Sequence, residues 1–431
     1  MSSPLADLER SLAPGHVSTE GCVAVVCANN EASVAAIRLL LEREIGFVLC
    51  SAEQAIPRFC RHVIEATRSS PALLDNDAWT GGDASYRGRF YTRTSGTTAA
   101  SKLVVFTQAR LWQNARNCVE RFQLSRADRV AIPVPIWHMY GFGAALLPAI
   151  LANAQIDVQP ESNVLRYLER EAAFRPTTAY LTPSVCHALA RLSQAQRRYR
   201  TTITAGDRTA PDVFERYEAT HGTLVSLYGS TELGAIAAGS PDDSFALRSQ
   251  TTGRPMPGVR VIHRTEGHGA NGYAELTFEH ASGGDGYADD RGNVNAHDET
   301  FHGGRLDSKD VGRLGGDGYL RIAGRTDHLV KRDGRFVAFS DVEEALLKHA
   351  GVAAAVVFSD GTTPRGARLT AVCVAVSRDV DPRAIRDAAR RHLPLYALPD
   401  RVMLIDEMPR LPSGKPDRAA LATHVAALQL D

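Results

Sequence analysis

Residues 22–50 constrain the fold most, because they read as a strand, a helix and a second strand in immediate succession. Residues 23–27 form a short apolar run of the kind buried in a sheet, and Asn29 and Asn30 supply a turn. Val34, Ile37, Leu41 and Ile45 then recur at helical spacing, and residues 47–50 return as a strand. Parallel strands need a crossover, and a helix is the usual one. The pattern comes back downstream. Thr178–Leu181 reads as a strand, Pro183 opens a helix through Leu192, 201–205 is a strand, 212–221 a helix and 224–228 a strand. An α/β body with parallel sheet units follows.

The texture then changes. From 252 to 280 the alternation is that of antiparallel β, with a turn at Pro255-Met256-Pro257-Gly258. Residues 281–305 are rich in Gly, Asp and Asn and predict an exposed loop. Residues 330–339 read as a hairpin turning at Asp333-Gly334. Ser340 and Glu343 have the spacing of a capping box for a helix through Ala350, which gives Glu343 a structural role and no catalytic one. Strands at 352–358 and 367–376, a helix near 382–392 and a strand near 401–405 complete the pattern. The expected organisation is a large α/β body with a β-rich subdomain over residues 1–326 and a small mobile α+β domain over 327–431.

Composition removes several classes of function. Lys+Arg and Asp+Glu both number 49, so no overall charge favours nucleic acid or anionic lipid. The seven cysteines, at 22, 27, 50, 60, 118, 186 and 373, have neither disulfide-framework nor zinc spacing, and free thiols suit a reducing compartment. No apolar run approaches the ~20 residues that span a bilayer. The opening MSSPLADLER lacks the cationic and apolar segments of a secretory signal. The expectation is a cytoplasmic protein with neither nucleic acid nor membrane as partner. Of the 49 basic residues only five are lysine, so each lysine can be weighed singly.

The sharpest local feature is Thr94-Ser95-Gly96-Thr97-Thr98-Ala99-Ala100-Ser101-Lys102, just after the β-rich segment Arg89–Arg93. Hydroxyls and free N–H groups in a turn can wrap phosphate oxygens, with a lysine adding charge. It is not a Walker A loop, because Lys102 lacks the preceding glycine and the following Ser/Thr. Further on come Leu227-Tyr228-Gly229-Ser230-Thr231-Glu232, Ser308-Lys309-Asp310, Asp317-Gly318-Tyr319-Leu320 and Gly324-Arg325-Thr326-Asp327. Near the end stands Pro409-Arg410-Leu411-Pro412-Ser413-Gly414-Lys415-Pro416-Asp417-Arg418.

In that order, over residues 23 to 418, these motifs resemble the adenylate-forming superfamily of acyl- and aryl-CoA synthetases, luciferases and peptide-synthetase adenylation domains. The chain looks like a shortened acyl- or aryl-acid–AMP ligase of that family. The resemblance implies ATP and Mg²⁺ as cofactors. Thr94, Ser95, Gly96, Thr97, Thr98 and Lys102 would form the loop over the β- and γ-phosphates. Tyr228, Gly229 and Ser230 would lie along the nucleotide, with Tyr228 against adenine and Asp207 lining the same pocket. Thr231 would contact the α-phosphate and Glu232 would hold the metal. Asp310 would bind the ribose, with Arg325 close by, and Lys415 would bridge the substrate carboxylate and the α-phosphate. Asp327 stands where the family has its hinge and Gly334 where it admits the thiol. The chemistry suits these types: a carboxylate attacking phosphorus joins two anions, so cations must offset their repulsion.

His138 lies in Pro135-Ile136-Trp137-His138-Met139-Tyr140-Gly141-Phe142, which resembles the acid-pocket segment of acyl- and aryl-acid members. Trp137, Tyr140 and Phe142 either shape that pocket or pack the core. Amino-acid-activating members commonly carry an aspartate here that anchors the amine; this segment has none. The implied reaction converts a carboxylic acid, aromatic or short to medium acyl, and ATP to acyl-AMP and pyrophosphate. The acyl group would then pass to the phosphopantetheine thiol of coenzyme A or of an acyl or peptidyl carrier protein.

The sequence also departs from the family pattern. Ala99 replaces a usual glycine, Ser101 a usual proline, and Ser308-Lys309 the usual Thr-Gly before Asp310. The chain reaches its phosphate loop sooner than a typical member, the shortening falling between Cys50 and Tyr91. Three other readings stand beside the ligase: a phosphotransferase built on Lys102, which would release ADP; a non-catalytic or adenylation-only nucleotide binder; and an amino-acid-activating domain.

Overall fold

The computed structural model describes residues 8–10, 12, 21–81, 86–94, 102–160, 164–192, 199–263, 273–289, 291–295, 298–377, 379–409 and 416–427. The chain divides into two compact units. The first comprises Met1–Ile262, Thr277–Ser308 and Leu314–Arg321, and the second His263–Leu276, Lys309–Arg313 and Ile322–Asp431.

Among the described residues the first unit is built on two sheets. In one, Phe47–Cys50 and Cys60–Ala66 run parallel on either side of Cys22–Cys27. All six residues of Cys22–Cys27 are buried, as expected of a parallel strand covered on both faces. The helix Glu31–Glu42 makes the crossover, and the Asn30 side chain caps it by accepting the Ser33 N–H at 2.8 Å. The span between Cys50 and Tyr91, where the sequence looks shortened, contains Cys60–Ala66 and the edge strand Ala72–Asp75. On the other side Arg89–Arg93 lies parallel to Phe47–Cys50, and Leu103–Thr107 turns back antiparallel to it.

Beyond Leu103–Thr107 the structure corrects the sequence reading of residues 281–305. Instead of an exposed loop, Gly286–Tyr287 and Phe301–His302 join the sheet as short antiparallel strands, and Ser282 and Phe301 are buried. The glycines make this possible. A Cβ on Gly284 would stand 2.9 Å from the Glu232 carbonyl oxygen and from Val104 Cγ1, so only glycine lets the backbone lie this close.

The second sheet runs Gln155–Val158, Arg129–Ile132, Thr178–Leu181, Tyr199–Thr204 and Gly222–Ser230, all parallel, and ends antiparallel with Gly234–Ala238 and Arg254–Pro255. Pro183 and Pro211 open the helices Pro183–Ala190 and Pro211–Thr220, where a missing N–H does no harm. Leu181, Val185, Leu189, Phe214 and Tyr217 pack between these helices and the sheet.

In the second unit the strands run Arg335–Ala338, Leu329–Arg332, Gly366–Ala375 and Val352–Thr363, with Arg401–Ile405 parallel to Gly366–Ala375. The hairpin turns where expected: Asp333 (φ 50°) and Gly334 (φ 72°) are both left-handed, as a type I′ turn requires. The capping box is not formed. The helix is Phe339–Leu347, begins directly after the hairpin at Ala338, and has no side-chain cap, so Ser340 already lies inside its first turn. Glu343 instead accepts the Val357 N–H at 2.8 Å and an Arg418 N–H at 2.6 Å, tying helix to sheet.

Candidate active site

The parallel strand Gly222–Ser230 delivers Tyr228, Gly229 and Ser230 to its carboxyl end, where open α/β sheets bind ligands. Its pairing with Gly234–Ala238 is irregular between Tyr228 and Gly229, and the two strands are joined by a tight turn carrying Thr231 and Glu232, both half-buried. The turn is pinned from several sides. Ser230 Oγ accepts the Leu233 N–H at 3.1 Å, and the Glu232 carbonyl accepts the Gly284 N–H at 2.8 Å. Asn114 Nδ2 and His280 Nδ1 donate to the Leu233 carbonyl at 3.1 and 2.9 Å. The Tyr228 ring is half-buried, 5.6 Å from that of Phe278. Asp207 is exposed and accepts the Arg208 N–H at 2.8 Å.

Thr94 and Lys102 close the base of the hydroxyl-rich loop through a Thr94 N–H to Lys102 carbonyl bond of 2.9 Å. Ser95, Gly96, Thr97 and Thr98 lie outside the described residues. Lys102 reaches towards the Glu232 turn. Its ammonium pairs with Asp298 at 2.9 Å and stands 4.2 Å from the centre of the Tyr287 ring, while the Tyr287 hydroxyl donates to Glu232 Oε1 at 2.9 Å. Burial pushes Asp298 up, but the Thr300 hydroxyl and Lys102 outweigh it and hold the carboxyl at about 2. Burial and the Glu232 charge push the Tyr287 phenol up, so it stays a donor. Among the described residues no basic side chain pairs with Glu232. A carboxylate with one oxygen held and no basic partner among the described residues fits Mg²⁺, which proteins hold through one or two carboxylates together with substrate phosphates.

The acid-pocket segment divides in two. Phe142 is fully buried, its ring 4.5 Å from Phe90 and 6.1 Å from Phe47, so it belongs to the core. Phe142→Ala is expected to lower stability by ~3–5 kcal/mol, read by urea denaturation. A smaller loss would place the ring outside the core. The Tyr140 hydroxyl lies 3.0 and 2.8 Å from the carbonyls of Leu181 and Ile203, which anchors it to two strand ends. Trp137 is half-buried and His138 exposed, their rings 6.0 Å apart. His138 reaches solvent, yet the protein packed around it pushes its pKa below the ordinary histidine value. Asn29 holds this segment: its amide donates to the carbonyls of Ile132, Val134 and Gln159 and accepts the Ile136 N–H at 3.0 Å.

The remaining sequence-predicted residues fall in the second unit. Asp310 follows Lys309, whose φ of 58° is left-handed. The glycine usual in the family takes that conformation freely, whereas for a residue with a side chain it costs ~1–2 kcal/mol. The Arg325 guanidinium makes two contacts to the Asp327 carboxylate, at 3.1 and 3.2 Å, in the short turn Thr326–His328. Burial raises the Asp327 pKa, but Arg325 more than offsets it and the group sits below the usual carboxylate range. Gly334 occupies the hairpin tip, and Lys415 lies outside the described residues.

Sequence reasoning missed Tyr287, Asp298, Asn114, Asn29 and His280. An aromatic inside the Gly/Asp-rich stretch was the one available signal for Tyr287. His280 also has a pH consequence. It is only 2% exposed, and desolvation pushes its pKa down against the opposing pull of the Leu233 carbonyl. The unfolded chain takes up this proton near pH ~6.5. Stability from the neutral ring is therefore fully present above ~6.5 and is lost as pH falls through the lower folded value. His280→Gln should flatten the acid limb of the stability curve below ~6.5; an unchanged slope would mean that the native ring takes up its proton at the same pH as in the unfolded chain.

The family model described as AMP-binding enzyme matches residues 90–270, and that of the AMP-binding enzyme C-terminal domain matches residues 341–415. The chain belongs to the adenylate-forming superfamily. Among curated members it is 29% identical over 341 residues to a sulfoacetate–CoA ligase of Cupriavidus necator, covering 77% of this chain and 66% of that one. It is 24% identical over 351 residues to an oxalate–CoA ligase of Arabidopsis thaliana, covering 78% and 67%. The chain thus spans about two thirds of the length of these relatives. ATP-bound MatB from Rhodopseudomonas palustris shares its fold, with a TM-score of 0.79 at 18% identity over 98% of this chain and 92% of that one. So does the Bacillus subtilis o-succinylbenzoate coenzyme A synthetase solved with ATP and magnesium, at 0.78 and 20% over 96% and 92%. Among the described residues no helix is long and apolar enough to cross a membrane.

Proposed function

We propose that this adenylate-forming protein activates a carboxylic acid with ATP to acyl-AMP and pyrophosphate, then passes the acyl group to a phosphopantetheine thiol. The observation that carries the reading is the series Lys102–Tyr287–Glu232. It gathers a cation and a carboxylate that has no basic partner among the described residues, beside the strand end bearing Tyr228. In the first step a carboxylate oxygen forms a bond to the α-phosphorus and the bond to pyrophosphate breaks. Lys102 and Thr94–Thr98 would draw charge from the leaving phosphates, and Thr231 would orient the α-phosphate. Glu232 would hold Mg²⁺, which supplies charge neutralisation on the phosphate oxygens. Asp310 would receive the ribose hydroxyls, and Lys415 would offset the meeting of the two anions.

His138 supports an acid without an α-amino group. It stands in the acid segment, its pKa held below the ordinary histidine value by the protein packed around it, and that segment has no aspartate to hold an ammonium. Coenzyme A is favoured as acceptor by the named CoA ligases among the relatives. A carrier protein is the alternative acceptor, as for the peptide-synthetase adenylation domains that the motifs resemble; an isonitrile lipopeptide synthase of Streptomyces coeruleorubidus is 29% identical over 357 residues that cover 77% of this chain and 23% of that one. Acid-dependent ATP–pyrophosphate exchange over a panel of aryl, acyl and amino acids tests the reading. Exchange with amino acids alone would replace it by the amino-acid-activating reading, and ADP as product would exclude it. Adding coenzyme A or a phosphopantetheinylated carrier to the productive acid then identifies the acceptor by the thioester formed.

A further inference from the structure

We propose that Tyr287 is a positioning residue for both charges of the nucleotide site, its hydroxyl aiming the Glu232 carboxylate and its ring seating the Lys102 ammonium. The inference rests on the ATP and Mg²⁺ reading above and extends it to a side chain that none of the sequence motifs contains. Glu232 and Lys102 end long, flexible side chains, and neither can hold one geometry alone. Tyr287 is different. Its backbone is clamped in the sheet, paired with Val104, and its neighbours donate on both sides: Asp285 N–H to Val105 and Ala288 N–H to Leu103, each at 2.7 Å. Its ring packs edge-on against Phe301 with centroids 5.1 Å apart.

This anchored phenol binds Glu232 Oε1 at 2.9 Å and, among the described residues, is the carboxylate's one hydrogen-bond partner. Oε1 is therefore oriented, while Oε2 has no hydrogen-bond partner among the described residues. The same ring presents its face to Lys102 at 4.2 Å, and Asp298 takes the ammonium from another side at 2.9 Å. Partners that orient a metal-binding carboxylate commonly change metal affinity or activity by ~10–100-fold when removed.

The test reads ATP binding calorimetrically over a Mg²⁺ series, without any acid present. Tyr287→Phe keeps the ring and removes the hydroxyl, so it should raise the Mg²⁺ needed for half-maximal ATP binding by ~10–100-fold, with ATP affinity restored at saturating Mg²⁺. In a Glu232→Gln background the same change should add nothing, because its effect runs through the carboxylate. If Tyr287→Phe does not fold, as judged by circular dichroism, Tyr287→Leu takes its place; it also removes the ring under Lys102, so the same rise in Mg²⁺ requirement is expected together with a loss of ATP affinity that saturating Mg²⁺ restores only in part. A wild-type Mg²⁺ requirement, an ATP affinity lowered equally at every Mg²⁺ concentration, or an additive effect with Glu232→Gln would each overturn the proposal. Because no acid is present, failure of the acid panel would sink the proposed reaction and leave this inference standing.

Discussion

Glu232→Gln is expected to slow acid-dependent ATP–pyrophosphate exchange by ~10²–10³ while the protein stays folded. The amide has nearly the shape of the carboxylate and can still accept the Tyr287 hydroxyl, so the turn at Ser230–Leu233 keeps its bonds. Only the charge is lost. Mg²⁺ prefers anionic oxygen ligands, and a neutral amide cannot offset the charge that builds on the phosphates. Exchange rates at several Mg²⁺ concentrations, with circular dichroism to check the fold, decide the matter. A variant with near wild-type exchange would remove Glu232 from the site.

Lys415→Ala is expected to slow acyl-AMP formation by ~10²–10³ and to spare thioester formation from supplied acyl-AMP. The two half-reactions make different demands. Adenylation joins a carboxylate to a phosphate, and an ammonium between them lowers the repulsion as the bond forms. Thiol attack on the acyl carbon brings no second phosphate anion together with the first. Each half-reaction is assayed separately, with preformed acyl-AMP in the second. Equal loss in both, or none in adenylation, would deny Lys415 the role that its motif implies.

Much of this fold is written in local pattern. Apolar runs alternating with helical spacing specify the parallel units at 22–50 and 178–228, because burying both faces of a strand leaves a continuous apolar signature. Asp333-Gly334 was legible because few residue pairs adopt two left-handed conformations in succession. The ordered motifs were enough to point to the family, since each carries side chains whose chemistry nucleotides require.

Other features depend on contacts that no local pattern contains. Residues 281–305 look like loop because glycine and aspartate are loop formers, yet glycine also permits the close backbone approach that places Tyr287 beside Glu232. Nothing local distinguishes the two uses. Glu343 had the spacing of a capping box, but helix start depends on where the preceding strand ends, and the hairpin ran straight into the helix. Phe142 and His138 are four residues apart in one motif, yet one is core and the other reaches solvent. That division depends on which side of the chain meets Phe47 and Phe90. Such pairings bring together residues far apart in sequence, and only packing in three dimensions selects them.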